Sequence, residues 1–599
     1  MSDKIIPKRE DVPAEFTWDL TDLYESDEAW RREYEALKEL PARAAAYEGR
    51  LGESADMLLE FLRLEDEAHV RIGMLMDYAG RKNDQDMANA LYQDMRGKAV
   101  SISVAMSSAC GFAAPEIIAI DAARLDAFYQ ARPELLEYEL ALFRLRRMAG
   151  HMLSAQEETL LAAACEMAQS PDDIAGVFRN ADLHFPPVTD SEGVSHPLTN
   201  ETLVPLLASK DRELRRAAFA AYYARLGEFQ NTLAATLDAQ FRQLRFFAAA
   251  RKYSSTLEAS LDANEIPTSV YERLIDAVHT NLDKMYRYVA LRKRLLGVEE
   301  LHMYDVYTPI VPPAVSKIDY DTAKRTVLDA LGVLGADYTA LLQKGFEERW
   351  IDVYENQGKR GGAYSSGTSR PHPYVLLNHK DTVDCMFTIA HEMGHALHSW
   401  YSCQAQCVSN ADYVIFVAEV ASTVNEVLLM RYLLDRAQDK LERASLINHF
   451  LDQFKGTVYR QTMFAEFELE LGRMSEAGQT LTAEALNEKY LALNKLYFGP
   501  DMVSDDEIAL EWARIPHFYY DYYVFQYATG FSAAVAIADR ILTLGDEAVA
   551  DYKRFLSAGC SADPISILRL AGVDMSTPAP INSALALFGA LIDELDKLI

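Results

Sequence analysis

Two histidines four residues apart, His391 and His395, are the side chains of this sequence with the clearest capacity for chemistry. On an α-helix, residues i and i+4 lie one turn apart on the same face, so the two imidazole rings can converge on a single metal ion. Glu392 lies about 100° around the helix from His391, where its carboxylate can reach a water on that ion and act as a general base. The pattern therefore predicts metal-assisted hydrolysis, with zinc as the metal that this spacing favours.

The motif requires a helix, and the residues around it predict one. Asp381 or Thr382 can cap the first turn. Apolar side chains with helical spacing form one face of this helix: Val383, Met386, Phe387, Ala390 and Met393. The alternative interpretation is a core helix that carries scattered histidines.

A catalytic zinc takes three protein ligands and leaves a fourth position for water, so a third ligand is required. His398 lies about 10.5 Å along the helix from His391 at roughly 1.5 Å per residue, which is too far for both rings to bind one ion. We interpret His398 as lining the cleft or as contacting one of the side chains that bind the metal. Glu419 lies in an apolar helical stretch where a buried carboxylate needs a partner, and a metal is a good one. Glu426 is predicted to orient a histidine ring, although an ordinary solvated helix position is the alternative.

The stretch before the motif predicts a glycine loop and a strand. A strand next to the metal helix can align an extended peptide by main-chain hydrogen bonds, and glycines allow close backbone approach. The alternative is a structural hairpin with a flexible loop. Together with one tyrosine from further along the chain, this stretch supplies the candidate substrate-binding residues, which are Gly361, Gly362, Ala363, Tyr364, Tyr374 and Tyr523.

A third informative stretch runs from residue 515 to residue 530 and is rich in tyrosine. It places five tyrosines and His517 within eleven residues. The spacing of Tyr520, Tyr523 and Tyr527 predicts one helix face. Phenols and an imidazole grouped in this way suit the stabilisation of an oxyanion, although such a stripe is more often core packing.

Length and composition describe a large globular protein. The chain has 599 residues, 50% hydrophobic and 25% charged, so it should divide into two or more lobes. Long amphipathic segments predict an N-terminal helical lobe over residues 1–200, ending at a predicted hairpin near 183–198, and a catalytic domain over residues 201–599. Residues 1 to about 20 are predicted to be a tail that docks, because Phe16–Tyr24 is too aromatic to stay in water and too short for a domain.

Charge and cysteine content limit the kinds of partner and the cellular location that we expect. A formal net charge of −31 argues against binding to nucleic acid or to an anionic membrane. Six cysteines suggest no disulfide framework, although Cys403 and Cys407 leave open a second metal site or a redox pair. The first residues lack an apolar signal segment, and no run of about 20 apolar residues is evident. We therefore expect a cytoplasmic protein, of unknown oligomeric state.

Taken together, the three stretches resemble oligoendopeptidase F, in the thimet oligopeptidase-like family of zinc metallopeptidases. The resemblance extends from Phe16–Tyr24 to Tyr527–Gly530 and includes His391-Glu-Met-Gly-His395. It implies a mainly α-helical fold of clam-like or ellipsoidal shape, with a deep internal channel and a small β-sheet beside the metal helix. It also implies one zinc ion per chain.

The resemblance further implies roles for individual residues: zinc ligands His391, His395 and Glu419, general base Glu392, and stabilisers of the intermediate His517, Tyr520 and Tyr527. The expected activity is endopeptidase cleavage of short oligopeptides. A carboxypeptidase or dipeptidyl carboxypeptidase of the same chemistry is one alternative, and a non-catalytic helical scaffold that binds peptides is another.

Overall fold

The computed structural model describes residues 6–312, 317–367 and 370–599. The chain divides into two compact units, each assembled from three segments. The first unit comprises Met1–Gly150, Val315–Tyr432 and Ile537–Val573, and the second comprises His151–Ala314, Leu433–Ala536 and Asp574–Ile599. The predicted lobes, 1–200 and 201–599, differ from these units because each lobe is one continuous range. The predicted division stays a proposal.

Helices dominate the first unit, as its amphipathic segments predict. Many begin at a residue whose side chain caps the first turn, such as Ser26, Ser54 and Asp121. The α-helices that lie in this unit, wholly or in part, are Asp27–Leu37, Leu40–Ala45, Ala55–Gln85, Ala90–Ala109, Ala113–Ala119, Ala122–Ala131, Glu139–Arg147, Tyr320–Ala330, Ala336–Glu347, Val383–Ala405, Val408–Ala411, Ile415–Arg436, Phe525–Leu544, Asp546–Leu556 and Pro564–Leu570.

The second unit is also helical. Its α-helices, apart from the ends of the two that are shared with the first unit, are Ala155–Ala168, Ser170–Val177, Leu203–Leu207, Arg212–Gly227, Gln230–Ala250, Thr256–Asp262, Thr268–Thr280, Leu282–Leu296, Lys440–Gln453, Arg460–Glu476, Ala483–Phe498 and Ala579–Leu598. The predicted mainly α fold is therefore confirmed. The predicted overall shape and internal channel stay predictions.

Strands are short and few among the described residues. Val188–Thr189 and Ser195–His196 form the antiparallel hairpin that the sequence predicted. Leu301–His302 pairs in parallel with Met502–Val503. The remaining sheet has three strands, in which Tyr374–Leu376 lies centrally between Ile351–Asp352, which is parallel to it, and Tyr364–Ser366, which is antiparallel.

The aromatic segment near the N-terminus docks on the first unit, as predicted. Trp18, Leu20 and Leu23 are buried in a core cluster that also contains Tyr374 and Leu376 of the three-stranded sheet. Burial of these apolar side chains is the main term that holds the segment in place. The segment thus supports the sheet from one side.

The stretch Ala90–Ala119 is long and apolar enough to cross a membrane when judged by length and composition alone, because an 18-residue window within it has a mean hydropathy of 1.4. Serines and other polar residues interrupt it, so it is not a continuous apolar run. A single stretch of this kind is weak evidence, because helices of soluble proteins meet the same criterion.

Candidate active site

The motif lies on a helix that spans Val383–Ala405, here called the motif helix. Thr382 caps it by accepting a hydrogen bond from the backbone N–H of Cys385 at 3.2 Å, which is one of the two predicted caps. Apolar residues at helical spacing are buried along one side of the helix, including Met386, Ala390 and Met393. The predicted local context of the motif is therefore confirmed.

A second helix, Ile415–Arg436, carries both predicted glutamates and is here called the glutamate helix. The two helices approach closely at Gly394, where an added Cβ atom would lie 2.6 Å from the Cα atom of Ser422. The side-chain amide of Asn425 donates to the carbonyl of Ala390 at 3.0 Å, and its oxygen accepts from the hydroxyl of Tyr338 at 2.9 Å. These contacts set the spacing at which the glutamate helix faces the motif.

Three ligand atoms converge between these helices. The Nε2 atoms of His391 and His395 are 3.1 Å apart, and the Glu419 carboxylate oxygen lies 3.3 Å from the first and 3.4 Å from the second. Tetrahedral zinc with bonds of about 2.0–2.2 Å separates its ligand atoms by about 3.3 Å. Two imidazoles and one carboxylate in this geometry therefore fit a zinc ion. Among the described residues, they form the one group of three or more such side chains that could hold a metal.

The ionisation of the candidate ligand side chains favours a positive charge between them. Burial disfavours protonation of His391, but its hydrogen bonds with Glu419 and Glu426 outweigh that effect and raise its pKa to about 10. Burial likewise disfavours ionisation of Glu419, yet hydrogen bonds from the two histidines hold its pKa below the ordinary range. Nδ1 of His391 lies 2.5 Å from the carboxylate of Glu426, which fixes the ring so that Nε2 faces the other ligands.

Glu392 follows His391 on the motif helix and is buried. It is 7% exposed, and its Oε2 atom has no hydrogen-bond partner among the described residues. Burial raises the pKa of the Glu392 carboxyl, while the nearby His391 and His395 oppose that effect. A carboxylate with a raised pKa and an unsatisfied oxygen is suited to accept a proton.

His398 lies away from solvent. It is fully buried, stacks on Tyr413 with ring centroids 3.8 Å apart, and packs against Phe555. Burial lowers the pKa of His398 to about 3, so the ring is neutral. It does not belong to the metal-ligand cluster. Full burial does not fit the predicted cleft-lining role, and its packing on Tyr413 supports the motif helix instead.

The predicted substrate residues divide into two groups. Tyr374 is fully buried in the central strand, and its hydroxyl donates to the carbonyl of Asp19 at 3.0 Å, so its side chain does not fit the predicted contact with substrate. Tyr364 lies on the edge strand, where its hydroxyl donates to Asp84 at 2.7 Å. The glycine loop is exposed, and the amide of Asn378 holds it by donating to the carbonyls of residues 360 and 362.

One glycine of the loop adopts a left-handed backbone conformation, and the predicted close approach of a peptide stays a prediction. Gly362 has φ +82°, a conformation that favours glycine, and Gly361 and Ala363 beside it are exposed. The edge strand that follows ends against the motif helix, because a Cβ atom on Gly367 would lie 2.2 Å from the side chain of Ser399.

The tyrosine-rich stretch forms a cluster of rings but not the predicted helix face. His517 belongs to a short 3₁₀ helix, and of the three tyrosines only Tyr527 lies on the helix Phe525–Leu544. The predicted single face is wrong because residues 521 and 522 have φ of 54° and 62°, which interrupts the helical path. The stretch folds back instead, so that the rings of His517, Tyr520, Tyr523 and Tyr527 lie 5.4–6.5 Å from their neighbours.

Contacts within the second unit hold the backbone at residues 521 and 522, where the helical path is interrupted. The buried hydroxyl of Tyr522 lies 2.7 Å from that of Thr256, and its backbone N–H donates to Glu468 at 3.1 Å. The hydroxyl of Tyr527 lies 3.4 Å from Nε2 of His517. Burial, together with the charges of Arg460 and Arg179, lowers the pKa of His517, so the imidazole is neutral at neutral pH. The cluster therefore presents uncharged hydrogen-bonding groups.

The sequence patterns did not identify three residues that position the candidate metal ligands: Gly394, Ser422 and Asn425. Ser422 also donates to the carboxylate of Glu419 at 3.2 Å. A glycine in the middle of a helix and a polar residue in an apolar helical stretch are signals that could have identified the first and third residues.

We expect Gly394→Ala to weaken metal binding, because the added methyl group would meet the backbone of the glutamate helix and separate it from the motif helix. Overpacking of this kind typically costs about 1–3 kcal/mol of stability. Metal affinity by chelator competition and thermal unfolding measure the two effects. Gly80→Ala is the matched control, since nothing lies within 4 Å of an added Cβ atom there and a helical alanine should stabilise slightly. Equal metal affinities for both variants would contradict the role of the close approach.

The helical fold, together with two histidines and a glutamate around one point and a second, buried glutamate beside them, is the arrangement of a metallopeptidase. Residues 205–587 match the profile of peptidase family M3, and residues 116–185 match that of oligopeptidase F. The chain belongs to peptidase family M3, and within it to the oligopeptidase F group. It is a metal-dependent endopeptidase of oligopeptides, so the alternative of a non-catalytic scaffold is wrong.

Individual relatives agree with this assignment. The chain is 44% identical to oligopeptidase PepF of Bacillus subtilis over 99% of its own length and 89% of that protein. It is 38% identical to group B oligopeptidase PepB of Streptococcus agalactiae, covering 99% of this chain and 98% of the relative. The crystal structure of oligoendopeptidase-F from Enterococcus faecium superposes with a TM-score of 0.75 at 37% identity, over 96% of this chain and 99% of the other.

Proposed function

We propose that this protein is a zinc endopeptidase in which His391, His395 and Glu419 hold one zinc ion per chain and Glu392 is the general base. The observation that carries the proposal is the separation of 3.1–3.4 Å between the three ligand atoms, which suits tetrahedral zinc. When bound, zinc supplies Lewis-acid chemistry, making water acidic enough to lose a proton near neutral pH.

Two side chains of the protein complete the site: Glu392 transfers the proton, and Glu426 orients the ring of His391. Glu392 takes a proton from the attacking water and returns it to the leaving amine, a task that its raised pKa suits. Glu426 accepts the Nδ1–H of His391 and so holds the imidazole in the tautomer whose Nε2 is a ligand. Loss of either function should leave the fold intact, because both depend on side-chain atoms at the site.

We assign the stabilisation of the oxyanion to the tyrosine-rich cluster of His517, Tyr520 and Tyr527, with Tyr523 as a substrate contact. Support comes from the neutral imidazole and from the grouping of phenol donors around it. Neutral donors directed at developing negative charge are the usual means of stabilising such a transition state. The role of the cluster depends on which hydroxyl reaches the substrate, and kinetics of single variants can assign it.

Alignment of the peptide is assigned to the edge strand Tyr364–Ser366 and to the glycine loop before it. The strand lies at one edge of its sheet and packs at its end on the motif helix. An extended peptide can add to such an edge by main-chain hydrogen bonds. The central strand Tyr374–Leu376 is paired on both sides, so it is not available for this purpose.

Cleavage-site mapping tests the proposal as a whole. A mixed library of short peptides is incubated with the zinc-loaded protein, with and without a chelator, and the products are identified by mass spectrometry. We expect internal cleavage that the chelator abolishes and added zinc restores. C-terminally amidated peptides distinguish the alternatives, since a carboxypeptidase or dipeptidyl carboxypeptidase should lose activity on them and an endopeptidase should not. The cytoplasmic location stays a prediction.

We expect Tyr527→Phe to lower kcat by roughly 10²–10³ with little change in KM, because an oxyanion donor acts mainly in the transition state. The substitution removes one hydroxyl and no ring volume, so the melting temperature should change little. Steady-state kinetics on an internally quenched peptide and a melting curve measure both effects. Tyr520→Phe, tested in parallel, shows which phenol acts on the substrate.

Tyr522→Phe is a control from the same segment, since its buried hydroxyl pairs with Thr256 within the fold. It should cost stability and leave kcat nearly unchanged. If Tyr527→Phe and Tyr520→Phe both keep full kcat, the cluster is packing and the assignment is wrong.

A further inference from the structure

A partly enclosed cavity of about 100 Å³ lies within the second unit, away from the residues assigned above. It is bounded by the helices Arg212–Gly227 and Arg460–Glu476, the 3₁₀ segment Asp506–Arg514 and the stretch 303–307. Its volume corresponds to a few water molecules at about 30 Å³ each. The cavity can therefore hold a small ion or one functional group, and it is too small for a peptide or a nucleotide.

The side chains around this cavity carry more positive than negative charge. Three cations line it, Lys455, Arg460 and Arg514, but only one carboxylate, Glu511. One oxygen of Glu511 accepts from Arg460 at 2.6 Å and from Arg514 at 2.8 Å, so two guanidinium groups share one carboxylate. Burial opposes ionisation of Glu511, but these two arginines lower its pKa to about 2, so the single carboxylate is ionised.

The ion pair of Lys455 does not remove this excess of positive charge. Lys455 donates to Asp452 at 2.6 Å, yet the fully buried Arg292 lies 3.5 Å from the same carboxylate. Burial lowers the pKa of Lys455 to about 8, and the group is still mostly protonated at neutral pH. Four cations, of which Lys455 and Arg292 are buried and Arg460 and Arg514 partly buried, thus share two carboxylates, in a protein whose formal net charge is −31.

Hydrogen-bond donors are also in excess. Tyr223, a residue only 2% exposed, and Tyr307 bring two hydroxyl groups to the lining of the cavity. Nε of Arg514 is buried with no partner among the described residues. The other oxygen of Glu511 already accepts from the hydroxyl of Tyr490 at 2.6 Å. The one acceptor side chain at the cavity, Glu511, is therefore saturated, while a buried N–H of the neighbouring Arg514 has no partner among the described residues.

Uncompensated positive charge and unsatisfied donors are both costly inside a protein, and one ligand would resolve both. We propose that this cavity binds a small anion, either a halide or a small carboxylate, held by Arg514, Lys455 and the hydroxyl of Tyr223. The proposal is independent of the zinc centre.

Crystals of the full-length protein soaked in sodium bromide test the location. Anomalous diffraction at the bromine edge should show one strong peak inside the cavity, within hydrogen-bonding distance of Tyr223 and Arg514. Bromide peaks confined to the protein surface, with water in the cavity, would overturn the halide form of the proposal. Parallel data from crystals grown in sodium acetate show whether a carboxylate takes the same position, and water in the cavity in both experiments overturns the proposal entirely.

Thermal unfolding in solution is the second test. Melting curves are recorded in sodium chloride, sodium acetate and sodium gluconate at equal ionic strength, which cancels general screening. Gluconate is too large for the cavity. We expect chloride or acetate to raise the melting temperature by about 2 °C or more relative to gluconate, with a saturable concentration dependence. Identical curves in all three salts for the wild type contradict the proposal, whatever the variants show.

Tyr223→Phe should shift the midpoint of this dependence to an anion concentration about tenfold higher or more, since a hydrogen bond to a charged group is lost. Tyr222→Phe is the matched control, because this neighbouring hydroxyl donates to Asn200 at 2.7 Å and does not line the cavity. The control should keep the wild-type midpoint. An unchanged midpoint for Tyr223→Phe would exclude its hydroxyl as a ligand and contradict the proposed geometry.

Discussion

Glu392→Gln should lower kcat by roughly 10²–10⁴-fold while the zinc content stays near one ion per chain. The substitution keeps the size of the side chain and its capacity for hydrogen bonds but removes the base. Glu392 is not one of the three converging ligands, so metal binding should persist. Hydrolysis of an internally quenched peptide and metal analysis of the same sample measure the two quantities. Wild-type turnover in this variant would show that the general base is another group.

The same variant has a defined effect on stability. Burial raises the pKa of Glu392 above its ordinary value of 4.5, so the folded protein resists its ionisation. The wild type therefore loses stability as the pH rises above 4.5 toward the higher folded pKa, whereas glutamine has no such loss. Metal-free Glu392→Gln should melt at or above the wild-type temperature near pH 7, and the difference should vanish at low pH. A lower melting temperature near pH 7 would mean that the carboxylate stabilises the fold.

Glu419→Ala is expected to abolish tight zinc binding. Loss of a group that merely orients a ligand typically costs about 10–100-fold in metal affinity, so loss of the ligand itself should exceed about 100-fold. The remaining pair, His391 and His395, would be left without the carboxylate oxygen that lies 3.3–3.4 Å from both rings. Chelator competition and metal analysis after dialysis give the affinity and the occupancy.

Two controls separate coordination from support. His398→Ala should keep zinc, because the ring packs on Tyr413 and is not part of the ligand cluster, but it should cost about 2–4 kcal/mol of stability through the cavity it leaves. Glu426→Gln should retain zinc with an affinity reduced by about 10–100-fold. If His398→Ala lost zinc while Glu419→Ala kept it, the ligand set would be three histidines and the present assignment would be wrong.

Local patterns in the sequence were sufficient to predict the helices of the site. The spacing of His391 and His395, the capping residue Thr382 and the apolar face of the motif helix all depend on the 3.6-residue repeat, which is visible in any short window. The hairpin at residues 188–196 was predictable for a similar reason, since its turn residues are local signals.

Two local predictions failed where distant contacts overrode them. The tyrosine spacing of i, i+3 and i+7 indicated one helix face, but Tyr522 is held by Thr256 and Glu468, which are remote in sequence, and the backbone turns there. Tyr374 was predicted to face substrate, but the docked segment around Trp18 covers its strand. In both cases burial against a distant segment outweighed the local pattern.

By itself, then, the sequence determined the chemistry of the motif helix, because residue type and helical spacing are enough to bring two imidazoles and a base together. Only the tertiary structure decided that the carboxylate of Glu419 meets both rings, since that depends on the close approach at Gly394 and on the hydrogen bond from Asn425 to Ala390. It alone also gathered the cations around the partly enclosed cavity, from segments between residues 207 and 514. Such arrangements depend on packing between segments far apart in the chain, and no local periodicity records which segments will meet.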